Sequence, residues 1–144
     1  MEKKVVRTVY RGVEMPYATG VRVGNLVFLS GLAGVEPESG YVAIDPSFRE
    51  EEHVKRQVEV IMKKIDTALK KLGASMNDIV KFQVFMRDMS HFPLIVETVK
   101  KFLPKTNPIE DICCTGWLSS PQAVIASPGL YVELEATAVI MEKK

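Results

Sequence analysis

The sequence predicts an α+β domain in which two helices pack on one face of a mixed β-sheet. Three observations predict this fold class. A long amphipathic helix spans Glu51 to Gly73, alternation of apolar and polar residues marks a closing strand over Leu130 to Met141, and helices separate strands in the order ββαβαββ. At 144 residues, the chain is expected to form a single domain over residues 1–144.

The N-terminal part of the chain predicts strands joined by a tight turn. Val5 to Tyr10 has strand composition, and Ala18 to Val23 leads through a Gly-Asn turn into Leu26 to Leu29. The last two segments are expected to form a hairpin, and the unbroken apolar run in its second strand predicts that this strand is covered on both faces. Gly34 to Asp45, rich in Gly, Pro, Glu and Ser, predicts a surface loop.

The long helix has consistent signals at its start, along its length and at its end. Glutamates occupy its first turn and lysines its last, which complements the helix dipole, and Gly73 supplies a left-handed stop. Apolar residues recur at three- and four-residue steps, while most of the lysines and arginines fall on the other side. The apolar residues are Val54, Val58, Ile61, Ile65, Leu69 and Leu72.

The second half of the chain predicts a strand, a short helix and two further strands. Alternation over Val80 to Met86 predicts a strand with Val80 on its apolar side, and the helical spacing from Phe92 to Phe102, with Pro93 in the first turn, predicts the second helix. Ile112 to Trp117 favours a strand. Residues 118 to 129 predict a long loop that leaves room for a short strand at Ala123 to Ala126.

The closing strand is apolar on one face and mixed on the other, where no third helix remains to cover it. Such an uncovered face in a small domain predicts oligomerisation. The first face carries Leu130, Val132, Leu134, Ala136 and Ala138, and the second Tyr131, Glu133, Glu135, Thr137 and Val139.

Composition argues against several classes of protein. A net charge of +1 lacks the basic field of nucleic-acid-binding proteins, so nucleic acid is not expected as a partner. No apolar run approaches twenty residues and no signal-peptide core precedes Arg11, which predicts a cytoplasmic protein without a membrane segment. The adjacent Cys113 and Cys114 predict free thiols. His53 and His91 lie in no paired metal-ligand spacing, so no metal site is predicted.

Several blocks of sequence, in order along nearly the whole chain, resemble the Rid family, also called the YjgF/YER057c/UK114 family. The blocks are Pro16-Tyr17, Val23 to Gly31, Gln57 in the long helix, Asp78 to Phe85, Asp88 with Phe92, and Val132 to Val139. This resemblance implies a chorismate-mutase-like fold and homotrimers with clefts between the subunits. It also implies hydrolysis of reactive enamines and imines to keto acids and ammonia, without a metal or organic cofactor.

The resemblance also implies site residues. Glu133 matches the family's carboxylate that orients the attacking water, and the expected substrate-binding residues are Tyr17, Ser30, Gly31, Cys113 and Thr115. A serine triad is not predicted, because no base or acid partner for Ser30 is recognisable.

The sequence departs from the family at the arginine that grips the substrate carboxylate. No arginine follows Arg87. Counting forward from Phe102 aligns the family arginine with Cys113, whereas counting back from Glu133 aligns it with Leu118, and both alignments lose the guanidinium. The family's asparagine in the second helix falls on Val96.

Structural alternatives stay open for these residues. Glu133 is also consistent with a polar residue without catalytic function on the outer side of the last strand. Tyr17 is also consistent with an aromatic side chain that covers a hydrophobic edge, and Ser30 with a turn residue. Cys113 fits an inert core residue, or a thiol whose pKa is lowered by Lys101 or Lys105. Trp117 fits either the lining of a cleft or a plug under the loop.

Three functions therefore follow as hypotheses. The first is deamination of enamines or imines, and the retained Glu133 favours it. The second is a non-catalytic trimer that binds or senses a small metabolite, which the lost arginine favours. The third, a ribonuclease or translation inhibitor, is disfavoured by the near-neutral charge. A ligand without a carboxylate would suit a cleft that has lost its cation.

Overall fold

The computed structural model describes residues 2–39, 45–118 and 129–141. Within these ranges the strands and helices follow one another as β1 (Lys3–Val6), β2 (Val9–Tyr10), β3 (Val13–Glu14), β4 (Gly20–Val23), β5 (Leu26–Leu29), β6 (Leu32–Ala33), α1 (Glu50–Lys71), β7 (Ile79–Met86), α2 (Phe92–Lys100), β8 (Cys113–Leu118) and β9 (Val132–Val139). The mixed α+β class is confirmed.

The main sheet has the strand order β1-β4-β5-β9-β7-β8, and β6 also pairs with β9. The described pairs are antiparallel except for β7 and β8, which are parallel because α2 lies in their connection. The last strand in the chain, β9, therefore lies in the middle of the sheet, between β5 and β7. Each of its residues points either toward the helices or away from them.

Helix α1 matches its prediction closely. Its first turn is acidic, its last turn is basic, and Gly73 has a φ of +78°. The amide of Gly73 donates to the carbonyl of Lys70, and that of Ala74 donates to Leu69, which forms a Schellman motif at the helix end. The helix packs on α2 and on the sheet, and its buried side chains form the centre of the core.

The predicted hairpin of β4 and β5 is confirmed, with Val23 opposite Leu26. The expectation that β5 is covered on both faces is wrong for the single chain. Val27 is fully buried, whereas Leu26 and Phe28 are 46% and 49% exposed. The reason is that the helices pack on only one face of the sheet.

The N-terminal segment differs from the single strand predicted over Val5 to Tyr10. The chain leaves the main sheet after Val6, and β2 pairs with β3 in a separate small hairpin. Arg11 and Gly12 adopt φ angles of 50° and 79° at its turn. Two consecutive positive φ angles are typical of the tight turns that join hairpin strands. The short strand β6 falls between the predicted strand and the predicted loop, and the sequence did not indicate it.

Strands β7 and β9 bury alternate residues as predicted, with one exception. The pairing of β7 with β9 shifts register between Ile79 and Lys81, so Ile79 is buried and Val80 only half-buried. Such an irregularity changes which residues face the core. In β9, Val132, Leu134, Ala136 and Ala138 are buried as expected. The short strand predicted at Ala123 to Ala126 lies outside the described residues.

Across the described ranges, neither helix combines the length and the apolar character that a membrane span requires.

Candidate active site

Glu133 lies near the start of the central strand β9, on the sheet surface opposite the helices, which we call the outer face. It pairs with Ala33 of β6 on one side and with Phe85 of β7 on the other. Its neighbours along the strand, Val132 and Leu134, are fully buried on the helix side, so the Glu133 side chain belongs to the outer face. The carboxylate is half-buried in the single chain.

Gly31 makes room for this carboxylate. A Cβ added at Gly31 would lie 2.5 Å from Oε1 of Glu133, closer than any ordinary contact. A larger residue at position 31 would therefore displace the carboxylate. The structure thus brings together two of the residues that the sequence predicts for the site, Gly31 and Glu133.

Burial raises the pKa of the Glu133 carboxyl, and the nearby Glu135 raises it further, while Lys64 acts in the opposite direction. A carboxylate with a raised pKa is a stronger base than an exposed one, because its negative charge is less well solvated. The surroundings of Glu133 therefore make its carboxylate more basic than an exposed one.

Lys64 was not predicted to take part in a site. Its ammonium donates to the carbonyls of Ala33 at 2.7 Å and Val35 at 3.1 Å. Burial lowers the pKa of Lys64 to about 8, against the attraction of Glu36 and Glu133. The signal in the sequence was weak: Lys64 follows the buried Ile61 by three residues, which turns it toward the apolar side of α1.

Ser30 is hydrogen-bonded to the segment that directly follows Tyr17. The Ser30 hydroxyl donates to the carbonyl of Ala18 at 2.6 Å, and the Ser30 amide donates to Thr19 at 2.8 Å. These two bonds hold the segment after Tyr17 next to the strand end that leads into Gly31. The Tyr17 side chain is 58% exposed and free to contact a ligand or another subunit.

Cys113 and Thr115 lie on the same outer face but further along it. Cys113 is level with Lys81, and Thr115 with Gln83, which in turn pairs with Glu135. Glu133 lies opposite Phe85, four residues beyond Lys81, so Cys113 is about 13 Å further along the strands.

Both cysteines are exposed, so Cys113 is not the inert core residue of the first alternative. The cation in register with it is Lys81 rather than Lys101 or Lys105. Burial raises the pKa of the neighbouring Cys114.

Two aromatic residues complete the row that contains Glu133. Phe85 lies between Glu133 and Trp117 in the strand register, and its ring stacks on the Trp117 ring with centroids 6.5 Å apart and an interplanar angle of 14°. Trp117 is 50% exposed. The sequence left the role of Trp117 open. It did not single out Phe85: the alternation of apolar and polar residues put Phe85 on the side away from the core, but gave no sign that it lies beside Glu133.

A second group of polar side chains lies at the start of the two helices. Glu50, Asp88 and His91 offer ligand atoms within 4.8 Å of one another, which is close enough for a metal ion to be considered. Nε2 of His91 is 3.7 Å from Glu50, and Asp88 accepts a bond of 2.9 Å from the Ser90 amide. The carboxylates of Glu50 and Asp88 therefore each have a partner within the protein. Sequence spacing missed the group because Glu50 comes from a distant part of the chain.

A cavity of about 500 Å³ lies on the other side of Lys64, between β1 and α1. Its walls combine apolar residues such as Val6 and Val60 with the cations of Arg7, Lys63 and Lys71. It contains none of the residues predicted for the site. Lys64 links the two regions, because it lines the cavity and also affects the charge of Glu133.

Comparison with known proteins gives consistent matches. The family model described as Endoribonuclease L-PSP matches residues 11–140. Reactive Intermediate Deaminase A, chloroplastic, of Arabidopsis thaliana is 31% identical over 109 residues, which are 75% of this chain and 54% of that protein. A 2-iminobutanoate/2-iminopropanoate deaminase of Salmonella typhimurium is 30% identical over 92 residues, 64% of this chain and 66% of that protein. The crystal structure of RidA from an Antarctic Psychrobacter bacterium superposes with a TM-score of 0.71 and 27% identity, covering 95% of this chain and 99% of that one.

Proposed function

The chain belongs to the Rid family, and from that premise we propose that it hydrolyses reactive imines and enamines to carbonyl compounds and ammonia. The observation that carries this proposal is the half-buried Glu133 carboxylate, held against Gly31 on the outer face. The names of the Arabidopsis and Salmonella relatives support the same class of reaction.

The proposed reaction needs water as its only co-reactant. Water attacks the carbon of the protonated imine while Glu133 accepts a proton from the water, which gives a carbinolamine. The amine nitrogen then takes up a proton, the C–N bond breaks, and the carbonyl forms. The balance is R₂C=NH₂⁺ plus H₂O giving R₂C=O plus NH₄⁺. An enamine enters the same sequence after protonation on carbon.

Within this proposal the chain works as a homotrimer with the chorismate-mutase-like arrangement and with sites in clefts between subunits. The exposed outer-face residues Leu26 and Phe28, each nearly half exposed, support a second copy covering this face. Light scattering at micromolar concentration is expected to give three times the chain mass of 16.1 kDa. A monomer would overturn the shared-cleft part of the proposal.

The test of the reaction is ammonia release from an imine generated in place by an oxidase. The wild-type protein is expected to accelerate release, and Glu133→Gln to lose about 100-fold or more of that acceleration, because the amide cannot accept the proton. Glu97→Gln is the matched control, since it removes a carboxylate from an exposed position of α2, away from the outer face. No acceleration by a folded trimer, or full activity in Glu133→Gln, would overturn the proposal.

A second candidate function is binding of a small metabolite without chemistry. The absence of any arginine after Arg87 favours it, since the cation that holds the carboxylate of a keto-acid imine is missing. In that case a ligand binds the trimer while the ammonia assay stays at the uncatalysed rate. The net charge of +1 does not favour a ribonuclease.

A further inference from the structure

Glu133, Phe85 and Trp117 form one row across three neighbouring strands. Phe85 is opposite Glu133 in the antiparallel pair and level with Trp117 in the parallel pair, so all three side chains rise from the same face. Adjacent strands are about 4.8 Å apart, which puts the carboxylate one step from the first ring and two steps from the second. The stacked rings and the half-exposed indole leave an aromatic surface beside the carboxylate.

Two carboxylates and two cations lie near this row: Glu133 and Glu135 of β9, Lys64 of α1, and Arg87, which follows Phe85 by two residues. Glu135 adds a second carboxylate two residues from Glu133, and aromatic faces attract positive charge. Lys81 lies on the same face but about 13 Å along the strand from Phe85. Lys64 approaches Glu133 from α1, and its ammonium is already bonded to two backbone carbonyls. A substrate carboxylate directly beside Glu133 would be repelled by that carboxylate and by Glu135, whereas a cation in the same place would be attracted by both.

We propose that the ligand of this site is a planar, carboxylate-free iminium ion carrying an aryl or conjugated group. The π-system lies on Trp117 and Phe85, and the C=NH₂⁺ group lies beside Glu133. An aryl ring attached directly to the imine carbon spans the step of about 5 Å between neighbouring strands. The inference rests on the deamination proposed above for the identity of the reacting group, and it adds the class of substrate.

A binding experiment tests the charge and shape of the ligand without requiring catalysis. Benzamidine is a stable, planar aryl cation that resembles the iminium, and benzoate is its anionic counterpart of the same shape. Trp117 is the only tryptophan in the chain, so its fluorescence reports directly on occupancy of the aromatic surface. We expect benzamidine to change this fluorescence and to bind at least ten-fold more tightly than benzoate.

Two variants and a control sharpen this experiment. Glu133→Gln is expected to bring the affinities for benzamidine and benzoate close to each other. Phe85→Leu is expected to weaken benzamidine binding several-fold. Phe48→Leu changes an aromatic residue that lies against His53 and Arg56 of α1 and not on the outer face, and is expected to leave binding unchanged. Benzoate binding as tightly as benzamidine, or a preference that survives in Glu133→Gln, would overturn the inference.

A kinetic experiment then separates this inference from the proposed reaction. A flavin amine oxidase acting on benzylamine and an amino-acid oxidase acting on phenylglycine generate two imines that differ only by a carboxylate. We expect ammonia release to be accelerated at least ten-fold more for the benzylamine product. Faster release from the phenylglycine product would overturn the inference. Benzamidine binding at Trp117 with neither imine accelerated would overturn the deaminase proposal while supporting the assigned ligand class.

Discussion

The two faces of the sheet differ in almost every property. On the helix face, alternate residues of β7 and β9 are aliphatic or Phe82 and are buried by α1 and α2. On the outer face, the residues between them are mostly charged, polar or aromatic, with Val139 as an aliphatic exception in β9, and the single chain leaves them partly exposed. Burial of apolar area on the helix face stabilises the fold. The side chains of the outer face are accessible to a ligand or to a second copy of the chain. One sheet thus separates the residues that hold the fold from those that are available to a ligand.

The largest effect on stability is expected from truncating the helix face at its centre. Leu134 is fully buried on β9, and Leu134→Ala is expected to lower the free energy of unfolding by about 2–5 kcal/mol, through lost contacts and a cavity. Urea unfolding at fixed protein concentration measures the change. Phe28→Ala on the outer face is the comparison. A larger loss from Phe28→Ala than from Leu134→Ala would break the contrast between the faces.

A smaller effect on stability but a large one on activity is expected from Gly31→Ala. The added methyl group would lie 2.5 Å from Glu133 Oε1, so the carboxylate must move away from its position. We expect the rate of imine hydrolysis to fall at least ten-fold, equivalent to about 1.4 kcal/mol in the barrier. Gly20→Ala is the control, because its added Cβ would press on the Leu29 and Leu72 side chains and not on Glu133. Equal rates in Gly31→Ala and the wild type would show that the carboxylate position is unimportant.

Burial of the Lys64 amine predicts that the free energy of unfolding depends on pH in the alkaline range. The folded-state pKa of Lys64 is about 8, below the ordinary value of 10.5. Between these two values the unfolded chain holds more protons than the folded one, so the free energy of unfolding rises with pH across this window. Lys64→Met is expected to flatten that rise. The measurement is urea unfolding from pH 7.5 to 10.5, and an identical slope in both proteins would contradict the burial of this charge.

The smallest effect is expected on the solvent side of α1. Asp66 and Lys70 form an exposed ion pair with 2.7 Å between Oδ2 and Nζ. Asp66→Asn is expected to cost only about 0.3–0.5 kcal/mol in water and less at high salt, because exposed pairs are well screened. Thermal unfolding at low and high salt checks both statements. A cost that persists at high salt would mean that Asp66 contributes by more than its charge.

Much of the fold was predictable because local signals agreed with one another. Alternation identified the two faces of β9, and the acidic start, apolar stripe and Gly73 defined α1. The errors arose where pairing with a distant strand decided the outcome. The register shift after Ile79 and the pairing of Leu32 with Leu134 both depend on β9, which lies far away in sequence. Nothing local in the sequence encodes such partners.

The same difference between local signals and distant strand pairing applies to the candidate site. Resemblance to the family predicts Glu133, Ser30 and Gly31 as site residues, and the structure places Gly31 against the Glu133 carboxylate. The neighbours that give this carboxylate its surroundings were not identified. Phe85 and Trp117 come beside Glu133 only through the registers of three strands, and Lys64 was assigned to the charged side of α1. Sequence periodicity gives the face of a residue, whereas tertiary register gives its neighbours.

The central position of β9 also has a consequence for biosynthesis. Strands β5 and β7 are paired through β9 rather than with each other, and β9 follows both of them along the chain. A ribosome makes the N-terminal strands first, so one edge of β5 and one edge of β7 must wait unpaired until the last strand emerges. Open strand edges are the usual sites of aggregation during folding. A nascent chain in which β9 has not yet emerged therefore exposes two open strand edges at which misassembly can begin.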